Sequence, residues 1–183
     1  MRIFALSGSL RGGSHNTELL RALAAAPPDG VEIDIYDGLA EIPPYDEDAD
    51  VPGDQPAAVE RLKAAMAEAD AVLIATPEYN HSIPGVLKNA LDWASRPPAQ
   101  SPIRNKPAAV ISSSTGMFGG VWAAAETRKV LGALGARVLE DTVTVPRAHE
   151  RLADGVDDVL AAELRSVVAA LVASAQARLA AAA

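Results

Sequence analysis

Short apolar segments alternate along this chain with longer segments in which apolar residues recur every three or four positions. The short segments predict strands and the longer ones predict helices. The five strand candidates are residues 2–7, 31–36, 71–75, 108–112 and 138–145. Alternation of this kind, with no internal repeat and no break in composition, is typical of a parallel sheet with helices on both faces. We therefore expect a single α/β domain over residues 1–183.

The helical segments are bounded by capping and breaking residues. The first, residues 18–23, has Asn16 or Thr17 as its predicted cap. The other helices are predicted near residues 59–66, 86–93, 121–134 and 154–175. Apolar residues that include Val156 and Val159 form the predicted inner face of the last helix, and the alanine-rich tail after residue 178 is expected to fray.

The composition narrows the function classes. Hydrophobic residues make up 49% of the 183 residues, which is enough for a folded core, and the net charge is −8. The negative charge argues against non-specific binding to nucleic acid or to anionic membranes. The chain has no cysteine, which excludes disulfides, thiolate metal sites and a cysteine nucleophile. Because the sequence shows neither a signal peptide nor a long apolar run, we expect a cytoplasmic protein.

The most distinctive segment is residues 76–85, between the third predicted strand and the helix that follows it. Its residues 78–82 carry a carboxylate, a phenol, an amide, an imidazole and a hydroxyl. Pro77 and Pro84 restrict the backbone on either side. Since open α/β sheets bind ligands beyond the carboxyl ends of their strands, the sequence predicts a binding loop here.

The loop after the first strand, residues 7–17, resembles a phosphate-binding segment. It lacks the Gly-Lys-Ser/Thr of a P-loop and does not match Gly-x-Gly-x-x-Gly. Its hydroxyl and amide side chains and its glycine backbone precede a helix, an arrangement that favours an anion. Arg11 adds a positive charge. We therefore expect a phosphate group at this loop.

The loop after the fourth strand, residues 113–120, combines glycines with hydroxyl side chains. Small residues let a flat ligand approach the backbone closely. Tyr79, Phe118 and Trp122 fall at the same predicted edge, although packing in the core or between subunits explains Phe118 and Trp122 equally well. Together the three loops indicate a ligand with a phosphate at one end and a planar group at the other, such as FMN.

These segments resemble the NADPH-dependent FMN reductase family, which includes the bacterial quinone and chromate reductases. The likeness covers about residues 2–145 and rests on Gly8-Ser9-Leu10-Arg11 with Ser14 and Asn16, on the motif from Pro77 to Trp93, and on the glycines of residues 116–120. It implies a flavodoxin-like three-layer fold with strand order 2-1-3-4-5 and bound FMN. It also implies reduction by NADPH or NADH, a quinone-like electron acceptor, and a homodimer or homotetramer.

The same resemblance implies cofactor contacts by position. The FMN phosphate would be held by Ser9, Arg11, Ser14, Asn16 and Thr17. The ribityl chain and ring would lie along Pro77, Glu78, Tyr79, Asn80 and Ser82. The far side of the ring would be closed by Ser113, Thr115 and Gly116. Because the flavin supplies the redox chemistry, no protein acid, base, nucleophile or metal ligand is assigned.

Other functions fit the sequence less well. A serine hydrolase of the α/β type would carry Gly-x-Ser-x-Gly, which is absent, and the acidic residues 46–50 suit a solvated loop better than a metal site. The alternative that stays open is a non-enzymatic electron carrier with the same flavin-binding fold. Within the family, Val121-Trp122 stands where close relatives of the chromate reductases often carry a basic residue, which argues against an anionic substrate such as chromate.

Self-association is expected through the helices that follow Pro84 and Gly120. Trp93 and Trp122 belong to these helices. Buried aromatic side chains contribute strongly to protein interfaces, so both tryptophans are predicted to lie in a subunit contact.

Overall fold

A computed structural model describes residues 1–181 and contains one sheet of five strands. The strands are β1 (Arg2–Ser7), β2 (Glu32–Tyr36), β3 (Ala71–Thr76), β4 (Pro107–Ser113) and β5 (Arg137–Val145). Their order is β2-β1-β3-β4-β5, and every neighbouring pair is parallel. The predicted flavodoxin-like order is therefore confirmed.

Helices cover both faces of the sheet. They are α1 (His15–Ala25), α2 (Ala57–Glu68), α3 (Gly85–Ala94), α4 (Val121–Ala133), α5 (Ala148–Arg151) and α6 (Asp158–Ala180). Helices α1 and α6 pack on one face, and α2, α3 and α4 pack on the other, so the sheet is the middle of three layers. None of the helices in residues 1–181 has the length and apolar composition to cross a bilayer.

The pleat of β1 divides its side chains between the two apolar layers. Ile3 and Ala5 pack towards α1 and α6, whereas Phe4 and Leu6 pack towards α2 and α3. All residues of β3 and β4 are buried, because central strands of a parallel sheet are covered on both faces. Since β1, β3 and β4 are parallel neighbours, the loops at their carboxyl ends lie together at one edge of the sheet.

Helix α1 begins earlier than the sequence pattern indicates. Ser14 is its capping residue, and the Ser14 Oγ accepts a hydrogen bond of 3.3 Å from the N–H of Thr17. The prediction that Asn16 or Thr17 caps this helix is therefore wrong. Both residues lie inside its first turn.

Helix α6 begins at Asp158, four residues later than predicted, because Asp157 caps it by accepting a 2.8 Å hydrogen bond from the N–H of Leu160. Val159 is 66% exposed, so its assignment to the inner face is also wrong. The helix continues to Ala180, beyond residue 178 where fraying is expected to begin, and the fraying itself stays a prediction. Residues 182 and 183 lie outside the described residues.

The long loop between β2 and α2 is anchored to α3. The side chains of Asn89 and Trp93 each donate a 2.8 Å hydrogen bond to the carbonyl of Pro43, and the Asn89 Oδ1 accepts another from the N–H of Tyr45. Trp93 is fully buried beneath this loop. The prediction that Trp93 lies in a subunit contact is therefore wrong, because the chain itself covers the ring.

Candidate cofactor site

A cleft of about 220 Å³ lies between the loops that follow β1, β3 and β4. All three loops contribute to its walls. The lining residues are Ser9, Arg11, Ser14, His15, Asn16, Pro77, Glu78, Tyr79, Ser113, Ser114 and Thr115. Most of the residues that the family resemblance implied as cofactor contacts thus meet in one place.

Four of the residues implied by the resemblance do not line this cleft. They are Thr17, Asn80, Ser82 and Gly116. The Thr17 Oγ1 donates a 2.8 Å hydrogen bond to the Oγ of Ser7, which fixes the end of β1 against α1. The Ser82 Oγ donates a 2.6 Å hydrogen bond to the Oε2 of Glu126 on α4. These two hydroxyls therefore join parts of the protein to each other.

Asn16 joins the first loop to the end of β4. Its Nδ2 donates a 3.0 Å hydrogen bond to the carbonyl of Ser113, and its Oδ1 accepts a 2.9 Å hydrogen bond from the N–H of the same residue. The Asn16 side chain is buried, and both of its polar ends have partners within the protein. Its side chain therefore fixes the shape of the cleft.

The first turn of α1 presents unpaired donors to the cleft. Of its N–H groups, those of Thr17 and Glu18 bond to the capping residue, whereas those of His15 and Asn16 have no partner within residues 1–181. The guanidinium of Arg11 is exposed on the same wall. A helix N-terminus with free N–H groups and a cation beside it favours an anion such as phosphate.

The middle loop contains a tight turn over residues 79–82. Tyr79 and Ser82 exchange two backbone hydrogen bonds of 3.0 Å. Asn80 and His81 between them have φ angles of 52° and 60°, in the left-handed region that asparagine and histidine tolerate better than most residues. Asn80 is exposed on this turn, and Tyr79, which lines the cleft, is 52% exposed.

Glu78 connects the middle loop to α4. Its Oε2 accepts hydrogen bonds from the N–H groups of Trp122 at 3.0 Å and Ala123 at 3.2 Å. Gly120 occupies the N-cap position of α4 and has no side chain to accept these bonds. The mostly buried Glu78 carboxylate therefore takes the role of the cap, and its negative charge suits a helix N-terminus.

Two glycines of the third loop are required by the conformation of the backbone. Gly119 and Gly120 have φ angles of 65° and 84°, and a Cβ on Gly119 would lie 2.9 Å from the backbone N of Pro146. The sequence attributed these glycines to close approach by a flat ligand, whereas in the structure they are required by the chain itself. The carbonyl of Gly116 accepts a 3.0 Å hydrogen bond from the N–H of Arg147, which ties this loop to the end of β5.

An exposed aromatic patch, made of Met117, Phe118, Val121 and Trp122, adjoins the third loop. These side chains are exposed, Met117 by 64% and Trp122 by 42%. The Trp122 ring makes edge contacts with Phe118 at 5.0 Å and with His81 at 4.8 Å between ring centroids. Core packing is therefore excluded for Phe118 and Trp122.

The sequence did not predict two residues that line the cleft, His15 and Ser114. His15 is the first residue of α1 and stands between Ser14 and Asn16, which were both assigned to the site. Ser114 stands between Ser113 and Thr115 in the same way. The family motif does not include His15 or Ser114, so only their position between assigned residues could have indicated that they line the cleft.

The groups around the cleft fit an FMN molecule. The anion-binding donors come from the first loop, and the other two loops contribute hydroxyl side chains and the ring of Tyr79. The buried Oγ of Ser113 has no hydrogen-bond partner among residues 1–181, as expected for a group that a ligand would satisfy. The cleft is smaller than the ~300–1,000 Å³ typical of enclosed ligand sites, so a mononucleotide would remain partly exposed.

A sequence model of the NADPH-dependent FMN reductases matches residues 1–150. The chain belongs to the NADPH-dependent FMN reductase family. An NAD(P)H-dependent FMN reductase of Pseudomonas aeruginosa is 47% identical over 131 residues, 72% of this chain and 69% of that protein. The quinone reductase of Escherichia coli is 42% identical over 139 residues, 76% of this chain and 73% of that protein.

The solved structures agree with this assignment. FerB, a flavoenzyme NAD(P)H:(acceptor) oxidoreductase from Paracoccus denitrificans, superimposes with a TM-score of 0.85 at 34% identity, covering 97% of this chain and 98% of FerB. A flavodoxin from Pseudomonas aeruginosa, at 18% identity and a TM-score of 0.60, shares the fold. This member of the family is therefore an oxidoreductase that uses FMN with NAD(P)H as the electron donor.

Proposed function

We propose that the cleft binds the phosphate end of FMN and that the enzyme passes two electrons from NADPH or NADH to a quinone or a quinone-like acceptor. The observation that carries this proposal is the convergence of the three loops. They place Arg11 and the free N–H groups of His15 and Asn16 at an open cleft beside the exposed ring of Tyr79. The named quinone reductase among the relatives supports the class of acceptor.

Each wall of the cleft would contribute a different function. Arg11 and the first turn of α1 would bind the phosphate, and Asn16 and Glu78 hold the loops in place. Tyr79 and the hydroxyl side chains of residues 113–115 would border the remainder of the cofactor. The chemistry that bound FMN supplies is acceptance of a hydride from a nicotinamide and two-electron reduction of an acceptor.

Anaerobic absorbance spectroscopy tests this function. The FMN-loaded protein is mixed with NADPH, NADH or dithionite, and a quinone is added after reduction. We expect a nicotinamide alone to bleach the flavin absorbance and the quinone to restore it. If dithionite bleaches the flavin but neither nicotinamide does, the protein is an electron carrier and the enzyme proposal is wrong. A protein that fails to quench flavin fluorescence during FMN titration would contradict the cofactor site itself.

We also propose that the aromatic patch is a contact between copies of this chain in a homodimer or homotetramer. Phe118 and Trp122 are large apolar side chains in water, and their burial against a second copy would be favourable. Light scattering at micromolar concentration should show an oligomer for the wild type and a smaller species for Trp122→Glu. Val159→Glu, on the exposed side of α6, is the matched control. A monomeric wild type would overturn the proposal.

A further inference from the structure

His15 lies where its ring can reach an anion in the cleft. It is the first residue of α1, and it lines the cleft with Ser9, Arg11 and Ser14. Its side chain is 23% exposed, so solvent protons have access to the ring. The ring Nδ1 lies 3.5 Å from the Oε2 of Glu18, which leaves the other ring nitrogen available for a ligand. Histidine is the side chain whose charge changes within the physiological pH range.

The charged groups near His15 come from two loops and from α1 itself. On α1, Glu18 would stabilise a protonated ring, whereas the positive end of the helix opposes it. The first loop contributes Arg11, and the middle loop contributes Glu78 and Tyr79. The Glu78 carboxylate already accepts two N–H bonds from α4, and the cleft-lining residues of the third loop are uncharged. A phosphate dianion would therefore be a major new negative charge beside the ring.

We propose that protonated His15 binds the 5′-phosphate of FMN, so that this protein holds FMN more tightly at mildly acid pH than at alkaline pH. This inference rests on the proposed cofactor site. If bound FMN stabilises the protonated His15 ring, then FMN binding to a protein with a neutral ring is coupled to the uptake of a proton by that ring. FMN affinity then falls as pH rises through the range in which the ring loses its proton, and it levels off above that range.

Flavin titration with matched variants tests the proposal. Dissociation constants for FMN and riboflavin are measured by fluorescence quenching between about pH 6 and pH 8.5, across the range in which histidine titrates. The protonation of free FMN is the same in every titration, so the informative quantity is the ratio of each variant's dissociation constant to that of the wild type. Riboflavin lacks the phosphate and should show no dependence on residue 15.

His15→Gln should weaken FMN binding by several-fold to about tenfold near pH 6 and have little effect near pH 8.5. A tenfold change in affinity corresponds to a shift of about one unit in the pKa of the ring when FMN binds. His15→Lys, which stays positive, should keep high FMN affinity throughout this range. His149→Gln, on the exposed α5, should match the wild type. A ratio for His15→Gln that does not change with pH would overturn the proposal.

Proton NMR of the apoprotein gives an independent measurement, because the chain has only three histidines. The titration midpoint of the His15 ring signals should move to higher pH when FMN is added and should not move with riboflavin. An unchanged midpoint in the FMN complex would contradict the proposal while leaving the cofactor site intact. If the wild type binds neither flavin, both the cofactor site and the role of His15 are wrong.

Discussion

Asn16 bonds to the backbone of Ser113 through both ends of its side-chain amide, across 97 residues of sequence. Asn16→Ala would leave a buried N–H and a buried carbonyl without partners, each at a cost of about 1–3 kcal/mol. We expect the free energy of unfolding to fall by roughly 2–6 kcal/mol and the FMN affinity to fall as well. Urea unfolding and FMN titration measure the two effects.

The control for this variant is Asn89→Ala. Asn89 also makes two hydrogen bonds to distant backbone, at Pro43 and Tyr45, but it does not line the cleft. Its replacement should lower stability by a similar amount and leave FMN affinity nearly unchanged. Equal losses of FMN affinity in the two variants would mean that Asn16 has no specific role at the cleft.

Arg11 is the predicted charge partner of the FMN phosphate. Arg11→Ala should weaken FMN binding by roughly 1.5–3 kcal/mol, the range for a charge-assisted hydrogen bond, and should affect riboflavin much less. Arg137→Ala is a suitable control, because Arg137 is exposed on β5 and lines neither the cleft nor the cavity beside it. Equal losses for FMN and riboflavin in Arg11→Ala would place the guanidinium at some other contact, such as the nicotinamide or a second subunit.

Glu78 is expected to stabilise α4 even in the absence of cofactor. Glu78→Ala removes the acceptor for the N–H groups of Trp122 and Ala123 and should lower the stability of the apoprotein by roughly 0.5–2 kcal/mol, the range for a lost helix cap. Glu78→Gln keeps an acceptor oxygen and should lose less. An apoprotein of unchanged stability that has lost FMN binding would show instead that Glu78 acts on the ligand directly.

Lys106 should make the stability of the protein depend on pH above neutrality. Its Nζ donates to the carbonyls of Met66 and Ala67 at the end of α2. Burial, together with the positive charge of Arg178, lowers the pKa of Lys106 from 10.5 to about 8. Between these two values the unfolded chain holds a proton that the folded protein has released, so the contribution of Lys106 to stability rises with pH.

Two variants isolate this contribution. Lys106→Arg cannot lose its proton in this range and should remove the rise in stability between pH 8 and 10.5. Lys106→Met should remove it as well, and above pH 10.5, where the lysine is neutral in both states, it should lower stability because the α2 carbonyls lose their donor. Urea unfolding at several pH values gives both results. If the free energies of unfolding of the wild type and of Lys106→Arg change in parallel with pH, Lys106 keeps its proton in the folded protein.

The sequence predicted the fold well because the signals it used are local. Each central strand is a continuous apolar run, and each is followed by a polar loop and a helical pattern. The cap of α1 was missed because Ser14, Asn16 and Thr17 are all good capping residues. Which of them caps depends on a distant contact, since Ser113 occupies the Asn16 side chain.

The family motif predicted which residues meet at the cleft, but it did not predict the hydrogen bonds that they make within the protein. A family motif indicates which residues meet, but it does not show which of them bond to one another. Glu78 looks like a ligand contact in the sequence and caps a helix 44 residues away in the structure. Trp93 looks like an interface residue because the sequence cannot show that the loop at Pro43 covers it.

The hydrogen bonds that anchor the three loops to the rest of the protein have a consequence for binding thermodynamics. The first loop is fixed to β4 by Asn16, the middle loop to α4 by Glu78, and the third loop to β5 through Gly116. Contacts within the protein therefore order the loops around the cleft. A ligand that binds in the cleft therefore costs the chain little conformational entropy, and a larger share of the free energy of its contacts contributes to affinity.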